Sequence, residues 1–305
     1  MNRRILLLTL LPLLLVAAAC GSSDDGTNQA TDATDPTAAE ATTETTTSPD
    51  DEAEAIASSF TCEEVAASFA TKGSANAELP DPEVSASCEG DTVSVTTNGI
   101  PDHTYVESSP GTPEAVDLSF TIPATPTMAA ETTDVPRLGA AAVALNGVPI
   151  YGPTEATGGD VLSLTGALSE CGSHNGPTGF HIHLLGTSDS TDCIFTPEEV
   201  VSAPQLLGFA LDGYPIYTGN DQHTSSWQVT DESLFASDTW SAHTYVEGSG
   251  DLDECNGMVG EDGSYAYYTT DEFPYVLGCY RGEVDLDASG GGPPEGAPGG
   301  GQPPA

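Results

Sequence analysis

The chain has 305 residues and a formal net charge of −42, with 47 acidic residues against only five Lys and Arg. This balance excludes nucleic acid as a partner, because contacts to phosphates need Lys and Arg. It also argues against binding to anionic lipid headgroups. The acidic residues are spread along the whole chain, which is more typical of a surface that stays hydrated at high ionic strength than of a dedicated cation-binding patch.

The first 20 residues have the pattern of an export signal. Arg3 and Arg4 precede an apolar run at residues 5–15, which is too short to cross a membrane, and small residues follow it. A Cys directly after small residues resembles the lipobox of bacterial lipoproteins. We therefore predict that Cys20 carries lipid and tethers the chain outside the cytoplasmic membrane. The alternative is a free secreted protein that is cleaved elsewhere.

Two segments are predicted to be disordered. Residues 21–58 form an acidic, Thr/Ala-rich stalk without an aromatic side chain, so they cannot bury enough apolar surface to offset the entropy of ordering. Residues 287–305 form a Gly/Pro-rich tail with the same expectation. Between them, we predict a small N-terminal helical and disulfide-bonded segment at residues 59–91 and a single β domain at residues 92–286.

Once Cys20 is assigned to lipid, six of the seven cysteines remain. An even number of cysteines in an exported domain predicts disulfide bonds, although the sequence leaves their connectivity open. We favour neighbours along the chain, because each such pair closes a loop of modest length. The predicted pairs are Cys62–Cys88, Cys171–Cys193 and Cys255–Cys279. None of them forms a Cys-x-x-Cys motif, which argues against a thiolate zinc site or a redox dithiol.

The first predicted element is a short helix. Thr61 and Glu64 have the spacing of a capping box, and apolar side chains at residues 62–69 share one helical face. Gly73 is the predicted stop. After it the pattern changes, because residues 91–99 alternate apolar with polar side chains and Gly and Pro recur at short intervals. We therefore predict a mostly β fold with many loops.

An internal repeat divides the β domain. The stretches LNGVPIYG (145–152) and LDGYPIYTG (211–219) share the pattern Asn/Asp-Gly-x-Pro-Ile-Tyr, in which the Gly suits a tight turn with positive φ. Each is followed by a Cys, a Gly-rich loop and an aromatic cluster, which is GFHIH (179–183) in the first case and GSYAYY (263–268) in the second. We predict two pseudo-symmetric halves. Shared turn chemistry without common ancestry is the alternative.

Five stretches, taken together and in order, resemble the YHYH domain, a family of exported bacterial proteins. They are TNGIPDHTY (97–105), ALNGVPIYGP (144–153), CGSHNGPTGFHIH (171–183), LLGFALDGYPIY (206–217) and the region at 252–282 that contains GSYAYY. The resemblance implies a fold and an extracytoplasmic location rather than an activity. Where the family reads Tyr-His-Tyr-His, this chain has Phe-His-Ile-His at 180–183, and in the second half Ala266 and Tyr268 stand where histidines would be.

The histidines of the first half predict a metal site. His181 and His183 are two apart in a predicted strand, so both imidazoles point to the same side and are placed to chelate one ion. His174, in the preceding loop, and His103, in an Ile-Pro-Asp-His turn, are predicted as further ligands. Three or four neutral imidazoles with open positions suit Cu²⁺ or Zn²⁺. The alternative is a sheet face whose histidines bond to backbone and carboxylate groups without a metal.

No recognised catalytic motif accompanies these histidines. The chain lacks a G-x-S-x-G elbow, a P-loop, a dinucleotide fingerprint and an H-E-x-x-H helix. Nothing pairs the candidate bases Glu170 and Asp212 with an acid, and the acidic stretch at 251–255 lacks EF-hand spacing. We therefore predict a non-enzymatic extracellular binding module whose protein or glycan partner is unknown. The alternatives are a metal-dependent extracytoplasmic enzyme and a structural or adhesive module with a platform of C-terminal tyrosines.

Overall fold

Short strands dominate the computed structural model, which describes residues 60–108 and 111–291. The predicted export signal with Cys20, the stalk and all of the tail beyond residue 291 lie outside the described residues. The prediction of a mostly β, disulfide-braced fold is confirmed. Within the described ranges, no helix is long and apolar enough to cross a membrane.

Fifteen strands and four short helices make up the described part of the chain. The strands are β1 Val84–Glu89, β2 Thr92–Thr97, β3 Leu118–Pro123, β4 Met128–Asp134, β5 Ala140–Ala144, β6 Pro149–Tyr151, β7 Ser173–Gly176, β8 Gly179–Ile182, β9 Leu206–Ala210, β10 Pro215–Tyr217, β11 Trp227–Val229, β12 His243–Tyr245, β13 Gly257–Val259, β14 Tyr265–Tyr268 and β15 Cys279–Gly282. The helices are α1 Cys62–Ser68, α2 Pro197–Ser202, α3 Thr239–Ala242 and α4 Leu286–Ser289.

The N-terminal segment begins with the predicted capped helix. The hydroxyl of Thr61 accepts from the Glu64 N–H, and the Glu64 carboxylate accepts from the Thr61 N–H, as a capping box requires. The predicted stop at Gly73 is wrong, because α1 ends at Ser68. The next residue, Phe69, is extended and buries its ring against Phe209, 5.9 Å away between centroids. Packing against the core therefore ends the helix before the glycine.

The predicted segment at 59–91 is not separate from the β domain. Strand β1 pairs antiparallel with β2, and β2 with β3, in a three-stranded sheet that crosses the predicted boundary at residue 91. Val65 and Phe69 of the segment belong to the same hydrophobic core as Val93 and Phe120. The described residues fall within one compact unit.

The largest sheet has eight strands in the order β13-β14-β10-β9-β5-β6-β8-β7. At its centre β5 pairs antiparallel with β9, and each of these strands forms a hairpin with the strand that follows it, β6 or β10. The second hairpin strand then pairs in parallel with β8 or β14, which an antiparallel edge strand, β7 or β13, completes. Counted inward from either edge, the sheet therefore has the same sequence of antiparallel, parallel and antiparallel pairings. We call β5, β6, β7 and β8 the N-terminal half, and β9, β10, β13 and β14 the C-terminal half.

The repeated turn makes the two central hairpins. Gly147 has φ of 85° and Gly213 has φ of 95°, conformations that L side chains rarely adopt. The central strands β5 and β9 are apolar, and β5 is buried along its whole length. They therefore anchor both halves in one core, and the structure supports the prediction of two pseudo-symmetric halves.

The three disulfides join the neighbouring cysteines that the sequence suggested. They are Cys62–Cys88, Cys171–Cys193 and Cys255–Cys279, with Cα–Cα distances of 5.6, 5.4 and 4.4 Å. The last two occupy equivalent places, because Cys171 lies two residues before β7 and Cys255 two residues before β13.

The C-terminal boundary of the domain differs from the prediction. The predicted tail begins at residue 287, but Leu286–Ser289 forms helix α4, capped by the side chain of Asp285. Ser289 is buried, and Gly290 lies against the backbone of Ser119 in β3. The ordered domain therefore reaches at least residue 291, because this last helix packs onto the three-stranded sheet.

Candidate metal centre

The pairing of β7 with β8 places three histidines on one side of the sheet edge. His174 on β7 lies directly opposite His181 on β8, and opposed residues of an antiparallel pair share a face. His183 lies two residues beyond His181, so its ring returns to the same face. All three are buried, with 8, 5 and 2% of their surface exposed for His174, His181 and His183.

The rings converge through their Nε2 atoms. The Nε2 atom of His181 lies 2.9 Å from that of His174 and 3.1 Å from that of His183. One ring nitrogen from each of the three lies within 4.8 Å of the others. Two nitrogens that bind one ion at about 2.0–2.1 Å in tetrahedral geometry stand about 3.3–3.4 Å apart, close to these spacings. The cluster therefore has the dimensions of a single metal site.

Backbone carbonyls hold the opposite side of these rings. Nδ1 of His181 donates to the carbonyl of Gly179 at 2.9 Å, and Nδ1 of His183 donates to that of Gly152 at 2.6 Å. A hydrogen bond with the backbone of Ala167 raises the pKa of His174. In a neutral imidazole only one nitrogen carries hydrogen, so a proton committed to Nδ1 leaves Nε2 with a free lone pair. This is the arrangement in which outer hydrogen bonds orient histidine ligands toward a metal.

Burial keeps the three rings neutral. It lowers the pKa of His183 to about 3 from its ordinary 6.5. Burial lowers the pKa of His181 well below its ordinary range, and repulsion from the other two rings adds to the effect. The pKa of His174 is also lowered by burial, against the opposing effect of the Glu155 carboxylate. Neutral imidazole is the form that binds a metal ion, so the site is in its ligating state at neutral pH.

Two residues near the cluster escaped the sequence analysis. The ring of Tyr151 stacks on that of His181, with centroids 4.0 Å apart and planes at 17°. Its hydroxyl lies 2.9 Å from that of Thr178. The second residue is Glu155, whose negative charge raises the pKa of His174. Tyr151 is the last residue of the first Pro-Ile-Tyr repeat, and Glu155 follows it by four residues. The repeat was the only sequence signal near them, and the pairing of β6 with the histidine strand β8 is what brings this stretch to the cluster.

His103 does not join the cluster, so its prediction as a ligand is wrong. Its ring is buried 5.8 Å from that of Phe180, and its Nδ1 lies 3.7 Å from the carboxylate of Asp102. Phe180 precedes His181 on β8, so the two side chains point to opposite faces of the strand. His103 therefore packs on the face that the metal candidates do not occupy.

The C-terminal half carries no equivalent trio. Ile182 and Tyr267 are equivalent positions, because they pair in parallel with Ile150 and Ile216 of the two repeated turns. By this register, Met258, Ala266 and Tyr268 stand in the places of His174, His181 and His183. The expectation that Ala266 and Tyr268 replace histidines therefore fits the structure. The loss at Met258 was not foreseen.

The two candidate bases lie elsewhere and have structural partners. The buried carboxylate of Asp212 accepts from the Tyr267 hydroxyl and, at 2.8 Å, from the Gly282 N–H. Burial raises the pKa of Asp212 to about 6, although these hydrogen bonds oppose the shift. Glu170 is exposed and accepts from the hydroxyl of Ser188 at 2.9 Å. Neither residue belongs to the histidine cluster among the groups that the structure describes.

A disulfide bond rules out a second candidate metal site, and burial rules out most of a binding surface made of tyrosines. The second cluster of metal-binding atom types is Glu254 with two cysteines, but those cysteines form a disulfide. The proposed platform consists of seven C-terminal tyrosines, and five of them are buried in the core and at most 3% exposed. The buried ones are Tyr214, Tyr265, Tyr267, Tyr275 and Tyr280, which leaves Tyr217 and Tyr268 partly exposed.

Comparison with known proteins identifies a family. The family model described as YHYH protein matches residues 119–282, which is more than half of the chain. No curated protein and no solved structure gives a significant match. The matched range contains both halves of the large sheet and all three converging histidines. The chain therefore belongs to the YHYH protein family.

Proposed function

We propose that this protein is an extracytoplasmic metal-binding module in which His174, His181 and His183 hold one Zn²⁺ or Cu²⁺ ion. The convergence of their Nε2 atoms carries the proposal. Two neutral rings whose protons are committed to Nδ1 cannot hydrogen-bond to each other through Nε2. The Nε2 lone pairs of His181 and His183 therefore face one another at 3.1 Å and repel, and a cation bound by all three rings converts this repulsion into favourable contacts.

A shared proton is the competing way to satisfy the cluster. It requires an imidazolium in a site where all three histidine pKa values lie below their ordinary range, because burial penalises the charged ring. A metal ion meets the same lone pairs without that protonation. The geometry therefore favours a metal over a proton near neutral pH.

Burial of the rings favours ion binding over turnover of a large substrate. Each histidine is at most 8% exposed, so only a small molecule has access to an open position on the ion. Disulfides of the kind seen here persist in oxidising compartments, which agrees with export. We propose that lipid on Cys20 tethers this module to the outer side of the cytoplasmic membrane.

Elemental analysis and zinc titration of the exported full-length protein test the proposal. We expect one ion per wild-type chain and none in the variant His181→Ala/His183→Ala. Alanine is a suitable replacement, because Ala266 already occupies the place equivalent to His181. The matched control is Tyr268→Phe, at the place equivalent to His183. We expect this variant to retain one ion per chain. A folded double variant with undiminished uptake, or a wild-type protein that takes up no metal, overturns the proposal.

A further inference from the structure

Glu155 has a buried oxygen that the described residues leave unpaired. Its Oε1 atom is inaccessible to solvent and has no hydrogen-bond partner within the described part of the chain. The loop that carries it is held by its backbone: the Glu155 N–H donates to the carbonyl of Gly159, and the Gly158 N–H donates to the carbonyl of Glu155, both at 2.8 Å. A buried, unpaired carboxylate oxygen costs free energy. The fold therefore keeps an acceptor here that lacks a donor or a cation.

The same residue lies beside the histidine cluster. Glu155 follows Gly152, whose carbonyl accepts from Nδ1 of His183, by three residues. It follows Tyr151, whose ring stacks on His181, by four residues. Its negative charge raises the pKa of His174 against the lowering effect of burial. Glu155 is not in the set of atoms that lie within 4.8 Å of one another, so its carboxylate stands outside the three nitrogens.

We propose that Glu155 is the counter-charge of the metal centre and favours a divalent over a monovalent ion there, an inference that rests on the proposed function. Three neutral imidazoles bring no charge to the site, and taking a dication out of water into a buried site is costly. A nearby carboxylate offsets that cost in proportion to the charge of the ion. Its unpaired oxygen is also free to accept from a water molecule on the ion. One cation thus resolves both the facing lone pairs and the orphaned oxygen.

Competition titrations of the exported full-length protein with Zn²⁺ and Ag⁺ test this inference. Ag⁺ is the monovalent probe because it needs no reductant that would open the disulfides. Glu155→Gln keeps the shape of the side chain and removes its charge. We expect it to weaken Zn²⁺ binding by about 10–100-fold, the range for outer partners of metal ligands. Ag⁺ binding is expected to weaken by about 3–10-fold, because the Coulomb energy scales with the charge of the ion.

Glu261→Gln is the matched control, because Glu261 is an exposed residue in the turn between β13 and β14 of the C-terminal half. It is expected to leave both affinities unchanged. Thermal unfolding of the metal-free variants shows whether each is folded. If the wild-type protein binds no metal, the proposed function fails and this inference with it. If metal binding depends on the histidines but Glu155→Gln leaves it unchanged, or weakens Zn²⁺ and Ag⁺ equally, the counter-charge role alone is overturned.

Discussion

The two halves of the large sheet share a topology but differ in what they bury. Each has the same hairpin, the same parallel outer strand and a disulfide cysteine two residues before its edge strand. Even the positive φ after that cysteine recurs, at 76° for Gly172 and 67° for Asn256. Yet the N-terminal half places three histidines where the C-terminal half has Met, Ala and Tyr. The strands form without the histidines, so their presence points to a function rather than to folding.

The halves also bury opposite kinds of ionisable group. The N-terminal half holds bases that burial keeps neutral, whereas the C-terminal half holds Asp212, an acid whose pKa burial raises to about 6. Acidification should therefore lower the stability of the fold through the histidines and raise it through Asp212.

Acidification is expected to destabilise the metal-free protein through the histidines. The folded pKa of His183 is about 3 against 6.5 ordinarily, so the unfolded chain binds the proton more readily. Stability is then lost as pH falls from about 6.5 toward 3, by on the order of 5 kcal/mol for this group alone. Asp212 opposes this loss, because its raised pKa means that the cost of burying its charge is relieved as pH falls through about 6.

Denaturant unfolding in the presence of a chelator, between pH 7.5 and 4, measures this balance. The wild-type free energy of unfolding should fall across this range, and the His181→Ala/His183→Ala variant should lose much less. Coincident pH profiles for the two proteins would contradict the assignment of the acid sensitivity to the histidine cluster.

Removal of one disulfide from each half is expected to have equal effects on stability but unequal effects on metal binding. Each bridge closes a loop of similar length, with separations of 22 and 24 residues, so each pair of Cys→Ala changes should cost about 3 kcal/mol. Only the loss of Cys171–Cys193 should weaken zinc affinity. The reason is that the Gly172 carbonyl, next to Cys171, accepts from the His183 N–H at 3.0 Å.

Chemical unfolding and zinc titration of Cys171→Ala/Cys193→Ala and Cys255→Ala/Cys279→Ala separate these effects. Equal losses of zinc affinity in both variants would show that the two halves are coupled through the sheet, against this expectation.

The smallest effect is expected at the tyrosines of the repeated turn. Tyr151→Phe removes the hydrogen bond with Thr178 and should cost about 1 kcal/mol of stability. The ring remains stacked on His181 and no metal ligand changes, so zinc affinity should stay unchanged. Tyr217→Phe, the matched change in the C-terminal half, keeps its stack on Tyr268 and should cost less. Thermal unfolding and zinc titration check both, and a large loss of zinc affinity in Tyr151→Phe would assign the hydroxyl a direct role at the ion.

Local patterns in the sequence were sufficient for several features. The Thr61–Glu64 spacing predicted the capped helix, because a capping box depends on residues within one turn. The neighbouring cysteines and the repeated Asn/Asp-Gly turn predicted the disulfides and the halves. The His-x-His spacing placed His181 and His183 on one face, because side chains alternate along any strand.

Contacts between distant residues decided the rest. Which further histidine joins the pair depended on strand register, which sets His174 opposite His181 and leaves His103 behind Phe180. The carbonyl that orients His183 comes from Gly152, 31 residues away, and the orphaned oxygen of Glu155 is visible only once neighbours are known. The same holds for the early end of α1, where Phe69 leaves the helix to pack on Phe209. Periodicity along the chain specifies the face of a strand, but only tertiary packing specifies what meets that face.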